Sequence, residues 1–299
     1  MIERRKFGRT GLEVSVLGFG GAEIGYEGAP QSDVEVLLNE ALDAGLNVID
    51  TAECYPDSEE KIGRAVSHRR KDYYLFTKCG HFDGRSADWS KASLLASIER
   101  SLKRLRTDYV DLVQLHSCGL EVLQAGEAIE ALEEARRRGY TRFIGYSGDG
   151  QAALFAVDSG RFDTLQISIN VADQEAIDLV LPRARERQIG VIAKRPVANA
   201  AWRYGNTPPS EPYHTVYWQR LRKLDYAFTK LPLGEAVAVA LRFTLSQPGV
   251  HTAIVGTKKP GRWAENARAL AAGPLPQEEI EAIRRRWREV AGPDWVGQT

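Results

Sequence analysis

Asp50, Tyr55, Lys78 and His116 are the side chains in this sequence best suited to moving a proton. Asp50 closes the apolar run Asn47-Val48-Ile49-Asp50, and Tyr55 follows on the polar stretch Thr51-Ala52-Glu53-Cys54-Tyr55. If the run is a strand, Val48 and Asp50 share a face, because side chains alternate. Lys78 ends the run Tyr73-Tyr74-Leu75-Phe76-Thr77-Lys78, and His116 ends Val110-Asp111-Leu112-Val113-Gln114-Leu115-His116. Each alone has a plain structural explanation: a turn-capping acid, an incidental phenol, a surface cation, a satisfied core imidazole. At neighbouring strand ends they make a proton-transfer set. A phenol with its ordinary pKa of about 10 is a poor acid or base near neutrality. A nearby ammonium lowers that value, and a nearby Asp50 favours a charged Lys78. The expectation is a poised phenol that exchanges a proton with a reacting oxygen, with His116 hydrogen-bonded to the same oxygen. No HExxH sequence and no serine-histidine-acid arrangement competes with it.

Such a set needs a scaffold that gathers strand ends. Residues 4–10 and 12–17 read as a β-hairpin around Thr10-Gly11, and 16–21 as a buried strand ending in Gly20 and Gly21. A repeating pattern follows. Helix 33–44 leads to strand 46–50, a helix from Ser58 to strand 73–78, and helix 91–105 to strand 110–116. Helix 122–138 leads to strand 142–147, helix 151–158 to strand 164–170, helix 174–187 to strand 190–194, and helix 234–246 to strand 252–256. Helices 260–271 and 277–290 close the chain. Alternating βα units imply a parallel sheet. Eight in series predict a closed (β/α)₈ TIM barrel, residues 1–299 as one domain, with an N-terminal β-hairpin, a long loop after the seventh strand and an extra C-terminal helix. The loop, 195–232, is long enough to be a lid or binding loop. Its Trp202, Tyr204, Tyr213, Tyr217 and Trp218 either wall a pocket or pack the loop onto the rim.

Sites of such barrels lie at the C-terminal strand ends. There the sequence places Gly20 and Gly21, Asp50 with Tyr55, Lys78, His116, Ser147, Gln166 with Asn170, Lys194, and Gly256 with Thr257. On strand 164–170, Gln166, Ser168 and Asn170 face one way and Leu165, Ile167 and Ile169 the other, so the polar row looks into the barrel. Buried polar groups need partners, some of which a ligand can supply.

The chain has 299 residues, with 40 Lys+Arg balancing 40 Asp+Glu. That balance lacks the basic footprint of a nucleic-acid binder. No window approaches a membrane span, and residues 1–14 hold no apolar signal core. Three cysteines without framework spacing fit a reducing cytoplasm. Cys54, Cys79 and Cys118 each flank a candidate site residue and with His116 raise the thought of zinc. Their spacing matches no metal pattern and Cys79 has the opposite parity to Lys78, so no metal is expected.

The chain closely resembles the aldo-keto reductase family. The resemblance rests on Leu17-Gly18-Phe19-Gly20-Gly21, the run Asn47 to Tyr55, Phe76-Thr77-Lys78, Leu115-His116, Ile144-Gly145-Tyr146-Ser147, Gln166 with Asn170, Ile254-Val255-Gly256-Thr257-Lys258, and Arg262 to Asn266. It implies a tetrad of Asp50, Tyr55, Lys78 and His116, with Tyr55 the proton donor in carbonyl reduction, Lys78 and Asp50 its tuning pair and His116 the orienter. It implies NADPH across the barrel mouth and a small carbonyl compound as substrate. Ser147 and Gln166 match positions that hold the carboxamide, and Gly20, Gly21, Asp50 and Thr51 match positions near the nicotinamide ribose. Gly256, Thr257, Lys258, Arg262, Glu265 and Asn266 match the adenosine segment. The loop after the last strand is a usual phosphate site of barrels, and Lys258 and Arg262 suit a 2′-phosphate, which favours NADPH over NADH. Two positions depart from the family pattern: Gly148 stands where Asn is usual, and Lys194 where an aromatic usually stacks on the nicotinamide. For Lys194 several outcomes stay open: weaker nicotinamide binding, altered cofactor choice, or an aromatic from 195–232 taking over. Its methylene stem can pack and its head can reach a phosphate. These departures keep a second reading in view, a non-catalytic cofactor sensor or partner subunit. Barrel chemistry of another kind, such as a lyase, is a third. Substrate identity and oligomeric state are not legible.

Overall fold

The computed structural model describes residues 2–81 and 87–298. Ten strands form: β1 (Arg4–Lys6), β2 (Glu13–Ser15), β3 (Leu17–Gly20), β4 (Val48–Asp50), β5 (Tyr74–Cys79), β6 (Val110–His116), β7 (Thr141–Ser147), β8 (Thr164–Ser168), β9 (Gly190–Lys194) and β10 (Thr252–Gly256). β3 to β10 are parallel and close into a barrel, β10 pairing with both β9 and β3. β1 and β2 form the separate antiparallel hairpin. The predicted (β/α)₈ barrel with its N-terminal hairpin is therefore present.

Alternation along the strands sorts the side chains. Ile49, Leu75, Val113, Leu115, Ile144, Leu165 and Ile167 face outward into the main apolar layer under the helices. Val48, Phe76, Leu112 and Ile192 face inward, where Phe7, Leu12 and Val14 of the hairpin region fill the lower end of the barrel. The Phe7 ring stacks on Phe76 with centroids 5.9 Å apart, in room left by Gly190, where a Cβ would meet that ring at 2.8 Å. With its floor sealed by apolar groups, the barrel leaves only its C-terminal mouth for polar inward residues.

The helices follow sequence logic. Helix Lys91–Leu105 starts at Ser90, whose hydroxyl accepts from Ser93 N–H. It buries Leu94, Ile98, Leu102 and Leu105 on one stripe. Four expectations need correction. The helix over 122–138 is two helices, Leu120–Ala125 and Glu127–Arg137, broken at Gly126 with φ 84°. The helix over 174–187 is also two, Glu175–Leu179 and Leu181–Glu186, the second with Pro182 in its first turn. β8 ends at Ser168, and Asn170 sits in a turn bridged to Asp173. The segment 195–232 is not a loop throughout, for it holds the helix Pro212–Leu224 between 3₁₀ turns at Ala198–Tyr204 and Ala227–Lys230. Its Tyr217, Leu221 and Leu224 pack into a second apolar cluster with Phe243, Ile283, Trp287 and Trp295. The last helix, Gln277–Val290, forms where expected. Among the described residues no helix is long and apolar enough to cross a membrane.

Candidate active site

β4 turns Asp50 inward at the mouth by the same parity that sends Val48 to the floor. One strand over, β5 turns Lys78 inward above Phe76. The two meet as a fully buried ion pair, Lys78 Nζ 2.5 Å from Asp50 Oδ2. The ammonium also donates to the Thr51 carbonyl at 2.8 Å. Gln114 and Gln166 each direct an amide N–H at the Asp50 carboxylate from 3.4 Å, and Gln114 donates to Gln166 Oε1 at 2.8 Å. Burial pushes the Asp50 carboxyl up, while Lys78, Gln166 and Gln114 pull it back.

Tyr55 stands on the loop after β4, its backbone N–H bonded to the Ala52 carbonyl at 3.1 Å. Lys78 Nζ lies 5.2 Å from the centre of its ring. His116, at the end of β6, meets the same ring edge-on at 5.8 Å. The four candidate residues thus converge on one pocket. The direction of the phenol's shift is a correction: burial, then the charges of Asp50, Cys54 and Tyr213, push Tyr55 well above 10. The ammonium expected to lower it is paired with Asp50, and burial outweighs it. Tyr55 therefore keeps its proton at neutral pH. Burial, then Lys78 and the other basic groups His81, Lys194 and Arg195, hold His116 well below 6.5, so its imidazole is neutral at neutral pH. Cys54 Sγ lies 3.4 Å from His116 Nδ1. Burial pushes that thiol up to about 11, so the S–H persists; donated to Nδ1, it would leave the proton of the ring on Nε2. Cys79 and Cys118 lie in the outer apolar layer. Among the described residues no three His, Cys, Asp or Glu side chains gather as a metal set.

Strand register brings Ser147 beside both His116 and Gln166. Lys194 is level with Ser168, and its head pairs with a carboxylate. Nζ lies 2.9 Å from Oδ2 of Asp149, both groups being almost wholly buried. Burial lowers the Lys194 pKa and Asp149 opposes that. Asp149 also accepts the backbone N–H of Ser168 at 2.6 Å. Gly148 has a packing reason as well: a Cβ there would lie 2.2 Å from the Tyr146 hydroxyl, which donates to the Cys118 carbonyl at 2.8 Å.

Across the mouth, Gly20 and Gly256 are paired across β3 and β10, and Gly21 follows at once. A Cβ on Gly256 would collide with the Glu23 carboxylate, and one on Gly21 would lie 3.1 Å from the Asp50 carbonyl. Burial pushes Glu23 up to about 7. Thr51 spends its hydroxyl on Ser58 Oγ at 2.9 Å, so it braces the loop. Beyond β10, Thr257 Oγ1 accepts from Lys259 N–H at 3.1 Å. Lys258 pairs with Glu27 at 2.9 Å and Arg262 with Glu265 at 3.3 Å, all half-exposed. Asn266 is buried on the same helix, Arg262–Ala269.

Sequence reasoning missed Asp149, Gln114 and Arg195. A buried Lys194 demands a counter-charge, and that was the one available signal for Asp149. It also missed the left-handed run Ala198, Asn199 and Ala200, with φ of 47°, 53° and 47°. Three successive non-glycine residues there are costly, and such strain clusters at ligand clamps. Of the aromatics in 195–232, Tyr217 and Trp218 pack on the rim, whereas Tyr213 stands exposed with its hydroxyl bonded to Arg195 Nε at 2.8 Å.

The features available to an extended phosphate-bearing cofactor are the Gly20–Gly256 strand pair and the buried Gln114 Oε1, which lacks a partner among the described residues. A nicotinamide dinucleotide fits that set.

The family model described as Aldo/keto reductase family matches residues 16–288. The chain is 30% identical to an uncharacterized oxidoreductase, YqkF, of Bacillus subtilis, over 96% of this chain and 97% of that protein. It is 30% identical to L-galactose dehydrogenase of Arabidopsis thaliana, over 99% of both. Among solved structures, the holo form of aldo-keto reductase AKR11C1 from Bacillus halodurans superposes with a TM-score of 0.84 at 28% identity, over 99% of both chains. An aldo/keto reductase from Klebsiella pneumoniae in complex with NADP and acetate superposes with a TM-score of 0.73 at 26% identity, over 98% of this chain and 97% of that one.

Proposed function

We propose, for a chain that belongs to the aldo/keto reductase family, that it reduces an aldehyde or ketone to the alcohol with a nicotinamide cofactor, Tyr55 giving the proton. The observation that carries this is the convergence of Tyr55, His116 and the Asp50–Lys78 pair at the open end of the barrel. When bound, the cofactor supplies hydride to the carbonyl carbon. Everything else falls to this chain. Neutral His116 donates its Nε2 proton as a hydrogen bond to the carbonyl oxygen and sets its position. The Tyr55 hydroxyl gives that oxygen its proton and regains one from solvent. Asp50 fixes Lys78 under the ring, where the ammonium stabilises the transient phenolate. In this reading Ser147 and Gln166, level with each other on β7 and β8, hold a carboxamide, and the Gly20–Gly256 strand pair borders the ribose. Lys258 and Arg262, their carboxylate partners displaced, are suited to a 2′-phosphate, so NADPH is the preferred cofactor.

The alternative of a non-catalytic cofactor-binding subunit drew on Gly148 and Lys194. Both now have local packing reasons, in Tyr146 and Asp149, so that reading loses its motive. The test is a rate measurement with NADPH and NADH against aldehydes, ketones and sugars. Tight binding of either cofactor with no turnover across the panel would overturn the proposal.

A further inference from the structure

Most charges around the mouth cancel in pairs. Asp50 is matched by Lys78 at 2.5 Å and Asp149 by Lys194 at 2.9 Å. Deeper under the rim, Asp173 faces Arg220 at 3.8 Å. Arg195, the residue after β9, has no carboxylate within ion-pair distance among the described residues. It senses Asp149 only at longer range. Its guanidinium is half-buried and rigidly held: Nε donates to the Tyr213 hydroxyl at 2.8 Å, Nη1 to Ser168 Oγ at 3.0 Å, and Nη1 also to the Gln298 carbonyl. All three acceptors are neutral. Of the five N–H groups, the two on Nη2 are left without a partner among the described residues. The backbone of Arg195 is itself left-handed, φ 54°, a costly conformation for a residue with a long side chain.

This cation also faces the reacting groups. Its charge acts on both the Tyr55 phenol and the His116 ring. Tyr213, which carries its Nε bond, acts on Tyr55 as well. Ser168, which carries an Nη1 bond, lies two residues beyond Gln166 on the same inward face of β8. Arg195 therefore closes the same mouth that holds the reacting groups, since its anchor Ser168 follows Gln166, whose amide reaches the Asp50 carboxylate at 3.4 Å. A fixed guanidinium with free N–H donors and no counter-ion is a recognition group for a carboxylate.

We propose that Arg195 is the anchor for a substrate anion, and that the preferred carbonyl compounds carry a carboxylate at the end remote from the carbonyl. The inference rests on the carbonyl-reductase reading and narrows it. Substrates of this kind bind through Nη2 while Tyr213, Ser168 and Gln298 keep the fork in place. A neutral carbonyl compound of the same length leaves Arg195 unpaired in a partly desolvated site and binds more weakly.

The test compares NADPH-driven reduction of succinic semialdehyde, which has the carboxylate, with that of butanal, which lacks it. The native protein is expected to favour succinic semialdehyde in kcat/KM by about tenfold or more, the worth of one charge-assisted hydrogen bond. Arg195→Gln should bring that ratio close to one, chiefly through KM, and Arg195→Lys should restore part of it. The preference should also shrink as ionic strength rises. NADPH affinity, read by tryptophan fluorescence without substrate, should stay within about twofold in Arg195→Gln, well under the tenfold that one such bond carries. If NADPH binding weakens tenfold instead, the guanidinium serves the cofactor phosphates and the proposal is overturned. Should Arg195→Gln fail to fold, the native protein still decides: butyrate should compete with butanal, and uncharged butyramide should not. Equal inhibition by the two overturns the proposal. Turnover of carbonyls without any carboxylate preference removes the anchor and leaves the reductase reading intact. Absence of turnover with every carbonyl and both cofactors removes both.

Discussion

Lys194 and Asp149 lock together across the ends of β9 and β7, Nζ to Oδ2 at 2.9 Å, where the family resemblance leads one to expect an aromatic ring. The pair ties two strand ends, and through the Ser168 N–H a third, into one rigid corner of the mouth. Replacing Lys194 by Met leaves the Asp149 charge buried without its partner. We expect Lys194→Met to cost about 3–5 kcal/mol of unfolding free energy, read as a fall in denaturant midpoint. The double variant Lys194→Met, Asp149→Asn should recover part of that loss. Additive losses would mean that the two residues do not act as a pair.

Tyr55→Phe removes the proposed proton donor and little volume. We expect kcat to fall by about 10²–10⁴-fold, while NADPH affinity, followed by fluorescence, holds. A variant that turned over at the native rate would rule Tyr55 out as donor.

The pH profile follows from the two shifted groups. Tyr55 sits above its usual range and stays protonated through neutrality. His116 sits below its own and stays neutral there. For reduction, kcat should therefore be level between about pH 6 and 8, with no inflection at the ordinary imidazole value of about 6.5. For alcohol oxidation the phenolate is needed, so the rate should climb steadily with pH. A bell-shaped reduction profile centred in that range would contradict this assignment.

Cys54 Sγ lies 3.4 Å from His116 Nδ1, and we expect it to set the tautomer of the ring. Cys54→Ala frees the ring to carry its proton on either nitrogen, and kcat should fall several-fold while thermal stability changes little. A Cys54→Ser variant, whose hydroxyl donates in the same way, should restore the rate. An unchanged kcat in the alanine variant would show that the thiol does not set the tautomer.

Glu59 illustrates a buried carboxyl that penalises the fold. It accepts from Thr77 Oγ1 at 2.7 Å, and burial pushes it up to about 7 from 4.5. The folded pKa is above the unfolded one, so the folded state holds the proton more tightly. Stability is then lost as pH rises from the unfolded value to the folded one, and stays lower above it. Glu59→Gln should flatten this part of the Tm-versus-pH curve. The advantage of the native chain over the variant should be largest below about pH 5 and shrink toward pH 8. A gap that widened with pH would reverse the sign of the argument.

Much of this architecture is legible from pattern. β6, β9, β10 and the helices 91–105 and 277–290 fall where periodicity places them, because their apolar residues repeat without interruption. The helices split at Gly126 and at Pro182 were overdrawn; one residue with φ 84° or one missing N–H outweighs an otherwise continuous stripe. Helix 212–224 was hidden by a polar, aromatic-rich sequence whose buried face exists only against Trp287 and Trp295. The four residues around Tyr55 were readable because strand parity fixes which way each side chain points. Their electrostatics were not. Whether Lys78 tunes Tyr55 or is held by Asp50 depends on distances between strands, and burial outweighs both. Asp149 escaped for the same reason, since its partner lies more than forty residues away on another strand.

The ring closes by pairing β10 with β3, Ala253 opposite Leu17. During synthesis β3 leaves the ribosome well ahead of β10. At roughly 5–20 residues per second, the edge of β3 waits on the order of ten seconds to a minute for its partner. Throughout that time its backbone groups and the apolar interior behind them stand open to other chains. The hairpin at the floor, made before any barrel strand, is the one segment positioned to shelter that interior early. Shortening it should therefore be felt first in the yield of properly assembled protein, before any effect on the chemistry at the opposite end.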